Sequence, residues 1–201
     1  MANASAPEWL RLFIAIRIPE DIKAAISVAQ TEVRQALPDA GVSWTKPEQF
    51  HLTLKFLGNV EAQQVDELTK ALSAACRAFG RLHLRAERMG AFPNLRFPRV
   101  IWIGLNDAEQ KLSLVQHAIE AACSPFTAEK PEDRFSSHVT LARVKRIRRS
   151  ESQVMAGLIS VMEKRFFGTW TAGEIELMRS TLGKEGARHE SVAKLALAGD
   201  A

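Results

Sequence analysis

A chain of 201 residues with 46% hydrophobic and 25% charged content has the make-up of an ordinary globular fold, with room for one substantial core or two closely joined lobes. No apolar run approaches the roughly 20 residues of a membrane-spanning helix, and the stretch 10–18 is interrupted by Arg11 and Arg17 and closed by Pro19, unlike a secretory signal. The net charge of +4 conceals two basic blocks, +4 over residues 81–99 and +5 over 143–149, against −5 for the rest of the chain.

Residues 1–8 are small and polar and are expected to fray. Residues 11–18 read as a buried strand, and Glu20 and Asp21 then open a helix to about 37, with acids in the first turn where the helix dipole favours them. Pro38 to Gly41 close it. A short strand at 42–44 and a turn at 46–49 lead into a strand that begins near His51 and ends at Gly58. Val65, Leu68, Leu72, Cys76 and Phe79 recur at steps of three and four and predict a helix over 61–79. Strands follow at 81–90 and 99–105, separated by a loop holding Pro93 and Pro98. A helix at 107–123, a strand at 137–145, a helix at 150–165, a strand at 170–180 and a last strand at 189–197 complete the order. Many strand-to-strand links are too short for parallel crossovers, which predicts an α+β fold with mainly antiparallel sheets.

Two of these strands read almost alike. Phe50-His51-Leu52-Thr53-Leu54-Lys55-Phe56 and Ser137-His138-Val139-Thr140-Leu141-Ala142-Arg143 both carry His, aliphatic, Thr, Leu, 87 residues apart. Side chains alternate along a strand, so His51 and Thr53 share one face, and so do His138 and Thr140. One such motif is commonly no more than a hydrogen-bonded strand histidine. Two in equivalent places suggest a duplicated half-domain that brings two imidazoles and two hydroxyls to one cleft. A phosphate fits between a His and a Thr two residues apart, some 6.5–7 Å. A facing pair of imidazoles can hold one ring neutral and the other protonated near neutral pH, so one can take a proton while the other gives one. Zinc needs three or four ligands, and neither His has an acid or Cys at ligand spacing. No glycine-rich phosphate loop occurs. Hence neither metal nor cofactor is expected, and Cys76 and Cys123 read as free buried thiols of a reducing compartment, the cytoplasm. The basic blocks are the footprint of a phosphate or nucleic-acid partner, with a solvated face as the competing account.

On these motifs, together with residues 11–19, 44–58 and 98–102, the chain resembles the 2H phosphoesterase superfamily, and within it the bacterial RNA 2′,3′-cyclic phosphodiesterases, also called 2′-5′ RNA ligases. The resemblance runs nearly end to end. It implies one domain over 1–201, bilobal and duplicated, with two mainly antiparallel sheets flanked by helices around a central cleft and motifs at 51–54 and 138–141. It implies hydrolysis of RNA 2′,3′-cyclic phosphate ends, tRNA-derived ones among them, to 2′-phosphomonoesters, with reversible 2′-5′ ligation. His51 would be the proton donor and His138 the acceptor, with Thr53, Thr140 and Arg143 on the phosphate. The chain departs from the family in having Ser137 where proline usually precedes the second His, and no Tyr in the closing turn, where it has Gly186-Ala187-Arg188-His189.

Phe13, Phe92 and Phe97 are candidates to stack on a base, the latter two because aromatics among arginines suit single-stranded RNA. Strict alternation puts Lys55 on the face of His51 and Arg143 on the face of Leu141, unless a bulge or strand end turns Arg143 inward. His83 and His117 read as ordinary surface or core residues. A monomer is expected. The competing functions are a non-catalytic module that holds RNA ends, and the same fold acting on 2′-5′ oligonucleotides or cyclic nucleotide-sugar phosphates.

Overall fold

Alternating apolar positions, punctuated by glycine and proline, give nine strands and four helices among the residues that the computed structural model describes, 7–131, 134–183 and 186–198. In chain order these are β1 (Trp9–Arg17), α1 (Glu20–Gln35), β2 (Gly41–Trp44), β3 (His51–Glu61), α2 (Val65–Arg77), β4 (Leu82–Phe92), β5 (Val100–Asp107), α3 (Lys111–Cys123), β6 (His138–Arg146), α4 (Arg149–Val161), β7 (Phe166–Ala172), β8 (Glu174–Gly183) and β9 (Gly186–Ala196). The fold is α+β and its strand pairs are all antiparallel.

The two expected sheets are joined. Their strands run β7-β4-β5-β6-β3-β1-β8-β9, with β2 also paired to β6. Between β6 and β3, however, the ladder is a single pair, Leu52 opposite Val139. Beyond it the strands part, and β2 takes over the edge of β6, with Trp44 opposite Ala142. The sheet is therefore pinched at its middle into one half of five strands, β2 included, and one of four, which is how the bilobal expectation and one continuous sheet coexist.

The single strand expected over 170–180 is two. Gly173 lies between β7, which pairs with β4, and β8, which pairs with β1. These strands sit far apart in the sheet order yet are one residue apart in sequence. The sheet must curl back to allow this, and Leu197 N–H donates to Gly173 O (2.9 Å) at that join.

The helices do not stay with the strands they follow. α1 packs on β7 and α4 on β4, whereas α2 lies against α3 and β9, and α3 against β3. Their apolar stripes, Ile22, Ile26, Ala29 and Val33 on α1 and Leu68, Leu72 and Cys76 on α2, join Leu52, Leu54, Val139 and Leu141 in one contiguous core. The opposite face of the half that contains β1 and β8 carries a separate small cluster, Phe13, Ala15 and Met178. The His and Thr of both motifs point away from the main core, to that side of the sheet.

Candidate active site

Leu52 and Val139 face each other across the one bridge between the halves, so the residues on either side of each lie on the other face. Extending that register sets His51 opposite Thr140 and Thr53 opposite His138. The two histidines are then diagonal neighbours across the bridge, each facing a threonine of the other strand, and close enough that the charge of His138 acts on His51. Four residues from two distant segments come to one point because each motif pairs through its second residue.

Each ring is held in the same way. His51 Nδ1 lies 2.7 Å from Gln49 O and His138 Nδ1 2.6 Å from Ser136 O. A carbonyl only accepts, so each Nδ1 carries a hydrogen, and the neutral ring keeps its lone pair on Nε2. Gln49 is in turn tied to β9 through its side-chain bond to Ala187 O. Ser137, where proline was expected, is fixed by other means: its hydroxyl donates to Leu105 O (2.6 Å), and Leu105 N–H donates to Ser137 O (3.0 Å).

Aromatic rings back both histidines. Phe13 lies under His51 with ring centres 5.1 Å apart, and His189 from β9 completes a triangle, 4.9 Å from Phe13 and 5.2 Å from His51. Across the pinch, Phe92 meets His138 edge-on at 5.2 Å and stacks obliquely on Trp102 at 5.1 Å. The indole lies flat over Gly90, its cross-strand partner, where a Cβ would run into the Trp102 ring.

Immediately after each motif the strand bulges. In β3, Thr53 pairs with Ala15 but Lys55 pairs with Ile14, so Leu54 is supernumerary. In β6, Thr140 pairs with Trp102 but Ala142 pairs with Ile101, so Leu141 is supernumerary. An extra residue exchanges the faces of everything beyond it. Arg143 therefore turns onto the histidine face, exposed, as the sequence argument required for a role at phosphate. By the same shift Lys55 leaves that face, correcting the expectation from alternation. It is 2% exposed in the core, bonded to Glu120 Oε1 (2.6 Å) and Lys130 O (2.9 Å). The residue that replaces it is Phe56, five positions after His51 as Arg143 is five after His138. Phe56 is 50% exposed, with its ring centre 6.1 Å from Phe13. Sequence reasoning missed it, although the matched spacing of the two motifs was the available signal.

The electrostatics of the two rings differ. His51 is pushed down to about 4, chiefly by burial, with the positive fields of His189, His138 and Arg17 adding and the Gln49 carbonyl opposing. His189 is lowered by burial too, and its Nδ1 is buried without a hydrogen-bond partner among the described residues. Arg17 sits directly opposite His51 in the β1–β3 ladder. Its Nε donates to the buried Glu176 carboxylate (2.6 Å), which leaves the far end of the guanidinium toward solvent. It too went unnoticed in the sequence.

Of the aromatic candidates, Phe13 is on the expected face but only 2% exposed, so it supports His51 and offers no free surface to a base. Phe92 lines an open cavity of about 850 Å³ together with Trp102, Arg88, Arg134 and His138. Phe97 is remote from the histidines and lines a different groove. His83 and His117 are exposed and engaged with Thr171 Oγ1 (3.0 Å) and Ser113 O (2.6 Å), as ordinary surface residues are.

A family profile described as LigT like Phosphoesterase matches residues 16–102. The RNA 2′,3′-cyclic phosphodiesterase of Thermus thermophilus is 30% identical over 95% of this chain and 92% of its own. That of Methanocaldococcus jannaschii is 30% identical over 91% of this chain and 98% of its own. Among solved structures, TT0787 of Thermus thermophilus is similar with a TM-score of 0.78 at 27% identity, covering 96% of this chain and 100% of that one. E. coli LigT complexed with 3′-AMP shares the fold, with a TM-score of 0.70 at 23% identity over 94% of this chain and 99% of its own.

Proposed function

This chain belongs to the LigT-like 2H phosphoesterases, the family of the RNA 2′,3′-cyclic phosphodiesterases, and we propose that it opens cyclic phosphate ends of RNA by acid–base catalysis between His51 and His138. It is an enzyme, a cyclic phosphodiesterase. The observation that carries the proposed chemistry is the lone Leu52–Val139 bridge, with an Nε2-directed imidazole on each side of it.

In the proposed reaction a water attacks phosphorus in line with the 3′ oxygen. His138 Nε2 takes a proton from that water, the P–O3′ bond breaks, and His51 Nε2 gives its proton to the departing O3′. The product is a 2′-phosphomonoester with a free 3′ hydroxyl, and the proton has moved from one ring to the other. Thr53 and Thr140 donate to the non-bridging oxygens, and Arg143 answers their negative charge. Each proton transfer contributes on the order of 10²–10⁴ in rate. With an RNA 5′ hydroxyl in place of water, the same forward steps form a 2′-5′ linkage, and their reversal cleaves it back to the cyclic end.

Burial disfavours the charged form of His51, so His51 takes up its proton only as phosphate arrives. Phe56 supplies the stacking surface on the His51 side, and Phe92 the edge of the His138 side. Turnover of 2′,3′-cyclic AMP with excess chelator tests this directly. Activity should persist, and His51→Ala and His138→Ala should each lower kcat by about 10³-fold or more, with His83→Ala unchanged. Loss of wild-type activity in chelator, or a His138→Ala enzyme near full activity, would refute the mechanism. RNA binding without any product would favour the non-catalytic module.

A further inference from the structure

The two basic blocks read from the sequence converge in space, away from the histidines. Leu95 to Arg99, from the loop between β4 and β5, form one wall of an open groove of about 770 Å³. Val144 to Arg149, from the end of β6 into the first residue of α4, form the other. Six cations line it, Arg96, Arg99, Lys145, Arg146, Arg148 and Arg149, and no acid does. Among the described residues, only Arg148 of these six has carboxylate partners, Asp39 at 3.8 Å and Glu151 at 3.5 Å. The walls are tied together: Val144 N–H donates to Arg99 O (2.9 Å), and Ser152 Oγ on α4 reaches Leu95 O (3.3 Å).

Such a concentration of guanidinium groups is repulsive unless an anion shares it. The amino end of α4 adds its partial positive charge to the same space. One more feature narrows the partner. Phe97 is 65% exposed at the rim, with the Arg96 guanidinium 5.3 Å from its ring centre. A flat exposed aromatic beside clustered arginine suits a chain that offers both phosphates and bases. From His138 to Lys145 along β6 is seven residues, roughly 23 Å. A mononucleotide held at the histidines cannot span that distance, whereas a strand several nucleotides long can.

We propose that this groove is a second binding site, for the phosphodiester backbone of single-stranded RNA several nucleotides from the cyclic end. The enzyme then selects polynucleotide ends over cyclic mononucleotides by charge, at a place distant from the chemistry. The inference rests on the proposed function, since it assumes that the cyclic end occupies the histidine site.

The test compares kcat/KM for 2′,3′-cyclic AMP and for a ten-nucleotide RNA bearing a 2′,3′-cyclic end, over a range of salt, in wild type and in the triple variant Arg96→Ala, Arg146→Ala, Arg149→Ala. None of the three side chains is buried, so folding should be retained. The oligonucleotide should lose tenfold or more at low salt while the mononucleotide changes less than twofold. The slope of log affinity for the oligonucleotide against log salt should become shallower by about 2, since each lost phosphate contact removes about 0.7 on single strands. Phe97→Ala should weaken the oligonucleotide alone. Equal losses on both substrates, or none on either, would overturn the proposal, and so would polyglutamate competing as well as RNA of equal charge. If the wild type opened neither substrate, the proposed function would fail on its own, and salt-dependent anisotropy of labelled RNA on the same variants would still decide the groove.

Discussion

The protonation of His51 gives the sharpest check on the proposed chemistry. A fall from 6.5 to about 4 means that the protein disfavours imidazolium there by about 3 kcal/mol. A phosphate anion about 4 Å away, at the effective dielectric of a partly open site, returns about 4 kcal/mol. On those magnitudes the ligand should win: His51 should be neutral in the free protein at pH 6 and charged once phosphate is bound. Imidazole nitrogen shifts followed by NMR from pH 3.5 to 8, with and without adenosine 2′-monophosphate, would read both states. The free ring should titrate near 4, and the bound ring should return to the ordinary range near 6.5 or above it. The pair works with one shared proton, so the acid limb of kcat/KM should lie near 4 whichever ring donates. A free His51 titrating near 6.5 would refute the burial argument. A bound state with the proton on His138 alone would reverse donor and acceptor.

Two side chains displaced from their naive positions offer further checks. Phe56→Ala should raise KM for 2′,3′-cyclic AMP about tenfold or more with kcat changed only a few-fold, since base stacking contributes about 1–3 kcal/mol; an unchanged KM would remove Phe56 from the site. Lys55→Met leaves the Glu120 carboxylate without its buried partner and should destabilise the fold by about 3–5 kcal/mol, read as a lower urea midpoint. Adding Glu120→Leu should recover much of that loss. If Lys55→Met folds normally but loses turnover, the lysine serves the reaction rather than the core.

The histidine motifs were legible because their two-residue period and their repetition are local properties, and each pairs through its own second residue. The composition of the core was legible for a similar reason, since apolar stripes on helices and strands declare which side is inside. What escaped was anything set by chain reversal or by a change of register. Residues 170–180 read as one strand because Gly173 alone carries the crossing from one sheet half to the other, and a single glycine inside an extended stretch gives little sign of a crossing.

The bulges are the more instructive case. Nothing in Thr53-Leu54-Lys55 or Thr140-Leu141-Ala142 announces an extra residue, yet the helices were built to receive one. Gln30 on α1 is buried and donates through Nε2 to Leu141 O (3.0 Å) and Thr45 O (2.8 Å), meeting the carbonyl of the residue that the ladder passes over. Gln116 on α3 is buried with its Nε2 3.5 Å from Leu54 O, the corresponding carbonyl of the other motif. The glutamines lie 86 residues apart and the histidines 87. Leu141 O also accepts from Thr45 N–H (2.8 Å), so at each bulge the glutamine on the helix beneath is a further donor facing a buried carbonyl that would be costly to leave short of partners. The duplication thus repeats the device that sets the face of the fifth residue after each histidine as well as the His and Thr. It puts an aromatic plane on one side of the site and a guanidinium on the other, an asymmetry that a cyclic nucleotide, base at one end and phosphate at the other, can use.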